Sequence, residues 1–352
     1  MARDWEHYLR PDHVLDLQDS TGIVQHADGA VPAWRTGYCT DDVARMVVVG
    51  CGLHRRRPSR DSRRMVLQGL AFLRAAAENS DGRGLRNFMD FERRWLDDPH
   101  PGDHIGRTVW ALGEVLAAFG DTPAMRTPAR LQLQALLPLA AAGLSPHECA
   151  YWALGLARAL QGQELPEVRA ALGRVLERLD EHWAAHERED WPWPLERLSY
   201  DNARFPQALL AAGRVLGRED LVERATVVLD WLQSHFWQDE QVQAVGNHWL
   251  FPGQDSSGFT GDEQPIDVAA LCECLAEFVC DGQAGRAEAA VGAFDWFLGG
   301  NRLGLSLYDS VTAGCHDGLG AEVLNDNQGA ESTLAFLQAA VALEKAGLTP
   351  PR

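Results

Sequence analysis

Residues 103–119, DHIGRTVWALGEVLAAF, combine a polar start with a long apolar continuation, and this combination decides the fold class. The polar start carries an acid, a histidine and an arginine, whereas the rest is apolar on more than one face. A helix that is apolar around most of its circumference is enclosed by other elements. The stretch therefore predicts a buried inner helix whose polar N-terminal end faces an opening.

The same plan occurs at five further places in the chain. The polar clusters are Thr40-Asp41-Asp42 with Arg45, Pro146-His147-Glu148, Tyr200-Asp201-Asn202 with Arg204, Glu263-Gln264-Pro265 with Asp267, and Asn327-Gln328-Gly329 with Glu331-Ser332. Amphipathic segments with apolar residues at three- and four-residue intervals lie between them and predict outer helices with one buried stripe. These segments are about 61–79, 125–142, 164–186, 218–236 and 284–299, with a short one at 11–18.

The alternation of outer and inner helices predicts an all-α (α/α)6 barrel that occupies residues 1–352 as a single domain. In a closed ring the polar clusters gather at one end around one pocket, which we call the mouth. The alternative is an open solenoid, but most solenoids repeat more uniformly than these clusters do. Short β-hairpins are expected within the loops, around 20–38 and 83–95.

The charge of the chain limits its partners. The formal net charge is -18, with 46% hydrophobic and 23% charged residues. Because nucleic acid requires a basic surface, a nucleic-acid partner is not expected. The same acidity disfavours anionic membranes.

The N-terminal sequence and the cysteines point to a cytoplasmic protein. Residues 1–18 lack the apolar core of a signal peptide, and no apolar run is as long as a membrane span. Seven cysteines is an odd number, and Cys51, Cys149, Cys272, Cys274 and Cys280 fall within helical patterns. This is typical of small buried residues in a reducing compartment rather than of a disulfide framework.

Acids near the predicted mouth are candidates for catalysis. Glycoside cleavage commonly uses two carboxyl groups, one as acid and one as base or nucleophile. The expected acid/base residues are Asp42, Asp201, Glu263, Asp317 and Glu331. The neighbouring Asp41–Asp42 pair can raise one pKa through like-charge repulsion. Helix capping is the alternative role for each of these acids.

Arginines follow three of the acids at helical spacing. Residues three or four apart share a helix face, so the pairs Asp41–Arg45, Asp103–Arg107 and Asp201–Arg204 are expected. Each pair either positions a catalytic carboxylate or only stabilises the barrel.

Other residues at the mouth are expected to bind sugar hydroxyl groups or to orient the acids. Loop tryptophans can stack on sugar rings, because indole is flat and amphipathic; otherwise they cover the core. The residues expected to bind substrate are Asp41, Arg45, Asp103, His104, Arg107, Trp191, Trp193, Tyr200, Asn202, Arg204, His248, Trp249, Gln264, His316 and Gln328. The sequence contains no CxxC, HExxH or phosphate-loop motif, so no metal and no cofactor is expected.

The combined segments resemble a known family. They are GDHIGRTVWALG, SYDNARFPQALLAAG, DEQPIDVAA and LYDSVTAGCHDGLGAEVLNDNQGAESTLAFL, together with 19–45, DSTGIVQHADGAVPAWRTGYCTDDVAR. They resemble an (α/α)6-barrel family of the six-hairpin glycosidase type, which is associated with glycosyltransferases and found beside β-mannoside phosphorylases. The resemblance covers roughly residues 12–345. It implies work on carbohydrates such as mannosides, and a functional association with a glycosyltransferase or a glycoside phosphorylase.

These observations predict a cytoplasmic glycoside hydrolase that acts on a short oligosaccharide, such as a mannoside, by carboxylate acid/base catalysis at the mouth. A sugar epimerase or isomerase is the first alternative. It would use a histidine pair from among His104, His248 and His316, since histidine transfers protons near neutral pH. A non-catalytic glycan-binding partner of a glycosyltransferase is the second alternative.

Overall fold

The computed structural model describes residues 4–141, 143–161, 163–238, 241–246, 249–254 and 262–351. Helices dominate these ranges, and they alternate between two layers. The inner helices are α2 (Thr40–Arg56), α4 (Asp103–Ala118), α6 (Pro146–Leu160), α8 (Arg204–Leu216), α10 (Pro265–Cys280) and α12 (Ala330–Lys345). The outer helices are α1 (Asp12–Leu17), α3 (Arg60–Ala77), α5 (Pro123–Leu136), α7 (Pro166–His186), α9 (Glu219–Phe236) and α11 (Ala287–Asp295).

The inner helices form a closed ring. Each contacts the next one in the chain, and α12 contacts α2. Every inner helix also packs mainly against one outer helix, which for α12 is α1 and for each of the others is the helix that follows it in the chain. This is the predicted (α/α)6 barrel, and the alternative prediction of an open solenoid is wrong.

The two layers follow from the distribution of apolar residues. In α6 all residues from Pro146 to Leu160 are buried. In α7 the buried residues are Val168, Ala171, Leu172, Val175, Leu176, Leu179 and Trp183, which recur at helical intervals along one stripe. A helix that is apolar on every side needs neighbours on every side, whereas one stripe needs a single neighbouring layer.

Short antiparallel strand pairs lie in the loops. Strands β1 (Ala27–Asp28) and β2 (Val31–Pro32) form the hairpin predicted within 20–38. Strand β4 (Phe88–Met89) lies within the second predicted region but pairs with β3 (Tyr38–Cys39), while a bridge between Met89 and Trp95 closes a local hairpin. Strands β5 (Trp237–Gln238) and β6 (Gln241–Val242) were not predicted.

All seven cysteines are free. Cys51, Cys149, Cys272 and Cys274 are buried as predicted. The prediction is wrong for Cys280, which is exposed because it is the last residue of α10 and lies at the end of the barrel. Within the described ranges, no helix is both long and apolar enough to cross a membrane.

Helices α4 and α6 approach each other closely through two glycines. A Cβ atom added at Gly113 would lie 2.0 Å from the carbonyl oxygen of Gly155. A Cβ atom added at Gly155 would lie 2.4 Å from the carbonyl oxygen of Val109. Because these contacts are with backbone atoms, a side-chain rotation cannot relieve them. The missing side chains therefore set the distance between the two helices.

We expect Gly155→Ala to destabilise the protein by about 1–3 kcal/mol or more, since overpacking forces backbone shifts. The matched control is Gly173→Ala in α7, where an added Cβ atom meets nothing within 4 Å. That change should stabilise by roughly 0.5–1 kcal/mol through helix propensity. Urea unfolding measures both, and equal stability of the two variants would contradict the proposed close approach.

Candidate functional site

A cavity of about 450 Å³ opens at the end of the barrel where the inner helices begin. This is the predicted mouth, and the volume lies within the range of roughly 300–1,000 Å³ that is usual for small-molecule sites. It is lined by Gln25, His26, Cys39, Asp41, Asp42, Arg45, Phe88, Arg107, Ser199, Tyr200, Gly246, Trp249, Gln264, Ile266, Asp317 and Glu331.

The first turn of α2 brings Asp41 and Asp42 into this cavity. The sulfur of Cys39 caps the helix by accepting a hydrogen bond from the amide of Asp42. One turn later, Nη1 of Arg45 lies 2.8 Å from Oδ1 of Asp42, and its Nη2 lies 2.7 Å from Oε2 of Glu331. Since Glu331 belongs to α12, this guanidinium joins the two helices at which the ring closes.

The two neighbouring carboxyl groups differ in proton affinity. Burial raises the pKa of Asp42 to about 6; the charges of Glu331 and Asp41 add to the rise, and Arg45 opposes it. Burial also acts on Asp41, but the guanidinium groups of Arg107 and Arg45 outweigh it and hold the pKa of Asp41 below its ordinary value. Between these two pKa values, Asp42 is protonated while Asp41 is ionised.

Another carboxyl group, that of Asp317, lies beside a histidine at the cavity. Burial raises the pKa of Asp317; a hydrogen bond from Ser332 opposes the rise, and the charge of Glu331 adds to it. Nδ1 of His26 lies 3.9 Å from Oδ2 of Asp317, and the His26 side chain is 55% exposed. Asn327 donates a hydrogen bond to the same carboxylate. The cavity thus holds a carboxyl–histidine pair in addition to the two aspartates.

A buried polar network begins at Asp41 and runs along the barrel axis. Nη1 of Arg107 lies 2.7 Å from Oδ1 of Asp41, and its Nη2 donates to the hydroxyl of Tyr151 at 2.7 Å. That hydroxyl donates in turn to Oδ2 of Asp201. Nε of Arg204 donates to Oδ1 of Asp201 at 3.0 Å. Charged groups from α2, α4 and α8 are thereby linked through a tyrosine of α6.

The network continues toward the opposite end of the barrel. Nη1 of Arg204 donates to Oε1 of Gln207 at 2.8 Å, and Nε2 of Gln207 donates to Oε2 of Glu277 at 3.1 Å. Arg158 donates to Oε2 of Glu277 at 2.8 Å and to Oε1 of Glu114 at 3.1 Å. Contacts between side chains therefore extend through the whole barrel.

Two of the predicted acid/base residues lie behind the cavity surface. Asp201 and Glu263 are each only 2% exposed. Asp201 is bound by Arg204, and Glu263 by Nε of Arg302 at 2.6 Å and Nε1 of Trp296 at 3.1 Å. The expectation that they line the pocket is corrected, because both carboxylates are buried and already bound by neighbouring donors. Their position suits them to stabilise the packing of the barrel wall.

The predicted aspartate–arginine pairs have different outcomes. Asp201–Arg204 is confirmed, with Nε 3.0 Å from Oδ1. Asp103–Arg107 is present at 3.8 Å, and Asp103 also accepts a hydrogen bond from Tyr200. The predicted pair Asp41–Arg45 does not form. Asp41 pairs instead with Arg107 of the next inner helix, and Arg45 pairs with Asp42. Contacts between helices, which spacing along one helix does not reveal, decide this choice.

The histidines near the mouth clusters are engaged by the backbone. Nε2 of His104 lies 3.0 Å from the carbonyl oxygen of Leu85, and Nε2 of His147 lies 2.8 Å from that of Tyr200. Both rings are buried, and burial lowers the pKa of each. Neither ring lines the cavity, so the predicted binding role of His104 is corrected to a structural one.

Five further polar residues predicted to bind substrate also lie away from the mouth cavity: Asp103, Asn202, Arg204, His316 and Gln328. Nδ1 of His316 is 2.9 Å from the carbonyl oxygen of Asn325, and His316 lines a separate cavity. Asn202 is buried and bonds to the backbone of its own turn. Gln328 is buried, and its side-chain amide is hydrogen-bonded to Thr312 and Asp309. Another residue predicted to bind substrate, His248, lies outside the described residues.

Of the aromatic residues predicted to bind substrate, some line the cavity and others do not. Trp191 and Trp193 are 3% and 0% exposed, and their indole N–H groups donate to backbone carbonyls, so they belong to the core and not to the pocket wall. Trp249, by contrast, lines the cavity and is 43% exposed. Tyr200 and Gln264 also line it. An aromatic side chain in a loop is not by itself a sign of a binding surface.

Sequence reasoning missed several cavity residues. His26 and Gln25 come from the loop before β1, and Phe88 comes from β4. They carry no helical or motif signal, and pairing between short strands brings them to the mouth. For Gln25 and His26, their place in the resembling segment 19–45 was the available hint. Within the described ranges, no three His, Cys, Asp or Glu residues are grouped as a metal ion would require.

No family model matches the chain, and no curated protein sequence matches it. Solved structures do match over nearly its whole length. A D-mannose isomerase is 10% identical with a TM-score of 0.72, covering 97% of both chains. Cellobiose 2-epimerase from Bacillus thermoamylovorans is 11% identical with a TM-score of 0.75, covering 97% of this chain and 96% of the other.

A third match is an α-1,6-mannanase of Salegentibacter in complex with α-1,6-mannotriose, an inactive variant in which two consecutive aspartates are replaced by asparagine. It is 9% identical with a TM-score of 0.67, covering 97% of this chain and 98% of the other. At these identities the matches establish the (α/α)6 fold. These neighbours are six-hairpin enzymes that act on sugars, and they include both hydrolytic and isomerising activities.

The far end of the network yields a prediction about acid stability. Burial acts to raise the pKa of Glu114, but the charges of Arg55 and Arg158 outweigh it, so the pKa falls to about 2. A lowered carboxyl pKa stabilises the fold above the unfolded value, and this stabilisation is lost as pH falls toward the folded value. The stability difference between wild type and Glu114→Gln should therefore shrink from pH 6 to pH 2, by roughly 3 kcal/mol.

Urea unfolding at several pH values measures that difference. The matched control is Glu219→Gln, since Glu219 pairs with Arg214 at an exposed site. Its stability difference from wild type should be small and nearly constant with pH, because exposed ion pairs contribute little. A pH-independent difference for Glu114→Gln would contradict the ion pairing of Glu114.

Proposed function

We propose that the protein is a glycoside hydrolase that cleaves a short oligosaccharide, such as a manno-oligosaccharide, at the mouth cavity. The observation that carries the proposal is that neighbouring carboxyl groups, Asp41 and Asp42, line one cavity with pKa values shifted in opposite directions. Environments that separate the pKa values of two acids assign them acid and base roles.

In this mechanism, Asp42 is the general acid. Its raised pKa keeps a proton available for the oxygen of the leaving sugar. Asp41 is the ionised partner, held by Arg107 at 2.7 Å and by Nδ2 of Asn87 at 3.0 Å. It acts as the base that activates water or as the group that stabilises the positive charge on the sugar ring.

Other cavity residues support this chemistry. Glu331 sits opposite Asp42 on the same Arg45 guanidinium, and its charge helps to keep Asp42 protonated. Trp249 and Phe88 are each 43% exposed at the cavity, and aromatic side chains there suit contact with sugar rings, although the Arg197 guanidinium covers one face of Trp249 at 3.4 Å. Asp317 lines the same cavity and also has a raised pKa, so it is a further candidate for the general acid.

The comparisons add support from two neighbours. The mannanase variant with two replaced consecutive aspartates is inactive and holds mannotriose, which parallels the consecutive Asp41–Asp42 pair. The D-mannose isomerase is a second neighbour whose name refers to mannose. Together with the resemblance to proteins encoded beside β-mannoside phosphorylases, they favour a mannoside. An association with a glycosyltransferase or phosphorylase stays a prediction.

A sugar epimerase or isomerase is the second candidate, because of His26. This histidine lines the cavity beside Asp317 and is exposed enough to reach a ligand. A histidine next to a carboxyl group can transfer a proton at the carbon beside a sugar carbonyl. His104 and His147, which are held by backbone carbonyls, do not supply the second histidine of a pair.

We expect Asp42→Asn and Asp41→Asn each to lower the hydrolytic rate by about 10²-fold or more, the usual size of an acid or base contribution. The matched control is Asp220→Asn, since Asp220 pairs with Arg218 at the exposed start of α9 and lies far from the mouth. Proton NMR of α-1,6-mannotriose and other manno- and gluco-oligosaccharides would follow new reducing ends and the first anomer formed.

Unchanged hydrolysis in both mouth variants would reject this assignment of Asp41 and Asp42. Conversion of one hexose into another, abolished by His26→Ala but not by Asp42→Asn, would select the epimerase instead. Sugar binding without any turnover would select the non-catalytic module.

The pH dependence of the rate should also report on Asp42. A general acid must be protonated, so kcat/KM should fall as pH rises through about 6. Glu331→Gln removes a negative neighbour and should move this falling limb to lower pH, since a like charge raises a carboxyl pKa. Glu219→Gln is the control that should leave the limb in place. A limb that does not move in Glu331→Gln would contradict the coupling.

A further inference from the structure

A second cavity lies at the end of the barrel opposite the mouth. Its volume is about 500 Å³, and every inner helix contributes to it through its C-terminal half. The residues that line it are distinct from those that line the mouth. Neither hydrolysis nor epimerisation at the mouth requires this space.

Two side chains at this cavity lack partners within the described chain. Gln338 of α12 is 5% exposed, and its Nε2 is buried without a hydrogen-bond partner. A buried donor of this kind costs free energy unless something satisfies it. Lys345, at the end of the same helix, forms no salt bridge or hydrogen bond through its side chain with any described residue, although its charge acts on Glu114. Both residues line the cavity.

The cavity wall limits the charge of a ligand. Among the described lining residues, four carry a positive charge and four a negative charge. The formal charges of the wall balance and most of them are paired with one another, so the wall favours neither an anion nor a cation and is compatible with a neutral ligand.

The wall also indicates the polar groups of that ligand. Gln338 offers a free donor, and Glu273 offers Oε2 beside its Oε1, which Arg204 already occupies. A hydroxyl group both donates and accepts, and so suits a wall that offers a donor and an acceptor. Apolar residues, including Val341 and Leu210, also line the cavity. A sugar ring or polyol presents hydroxyl groups together with an apolar C–H face.

We propose that this second cavity is a binding site for a small neutral polyhydroxylated ligand, a monosaccharide or polyol, separate from the mouth. Gln338 donates to a ligand hydroxyl, and Lys345 closes the outer side of the site. The volume is ample for one such molecule. The proposal requires binding and no chemistry at this end of the barrel.

The chain offers a direct probe of the site, because Lys345 is its only lysine. Reductive methylation with ¹³C-formaldehyde keeps the positive charge and places one ¹³C label at this cavity. The N-terminal amine gives a second signal, and Lys345→Arg identifies which signal belongs to Lys345. Titration with mannose, glucose and glycerol, followed by ¹³C NMR, then reads binding at the cavity itself. Inorganic phosphate serves as the anionic comparison.

We expect a saturable shift of the Lys345 signal with at least one neutral ligand. Ala342→Phe, which fills the cavity from a half-buried position, should abolish the shift, whereas Ala287→Phe on α11 should preserve it. Gln338→Leu should weaken binding roughly 2- to 10-fold, as expected for one hydrogen bond. Trp249→Ala, at the mouth, should leave the titration unchanged. Thermal unfolding of each variant checks that it folds.

Three results would overturn the proposal: no saturable shift with any neutral ligand, a shift with phosphate alone, or a shift that survives in Ala342→Phe. The titration is independent of turnover. The hydrolase proposal can therefore fail while this site is confirmed, and the site can fail while hydrolysis at the mouth is confirmed.

Discussion

The buried polar network along the barrel axis is the constraint on which the rest of the structure depends. Removing an ion from water costs several kcal/mol, so each buried charge must meet a partner with good geometry. Asp41 of α2, Arg107 of α4, Arg158 of α6, Arg204 of α8 and Glu277 of α10 are supplied by different helices. The network therefore favours one arrangement of the ring over other arrangements of equally apolar helices.

The same network sets the charge environment of two acids at the mouth cavity. It ends at Asp41, whose charge is stabilised by Arg107, whereas Asp42, one residue later, is governed by burial and by the nearby charge of Glu331. Adjacent acids thus acquire different proton affinities from the helices that face them. At its other end the network reaches Arg158 and Glu114, which line the second cavity. One set of contacts therefore bounds both cavities.

The fold does not by itself decide the reaction. Epimerases, an isomerase and mannanases share this architecture with the chain at identities of 9–13%. One fold can carry several activities, so the residues of the site and not the barrel decide the reaction. The opposed shifts of Asp41 and Asp42 favour hydrolysis, and His26 beside Asp317 is the feature that favours the alternative.

The sequence alone determined the helices, their two layers and the gathering of their polar ends, because helical periodicity is a local property that one segment carries by itself. It also identified Asp42, Glu331 and Trp249 as mouth residues. Only the tertiary structure decided that Asp41 pairs with Arg107, that Asp201 is sealed in the barrel wall, and that His26 reaches the cavity. These outcomes depend on contacts between segments far apart in the chain, which no local pattern encodes.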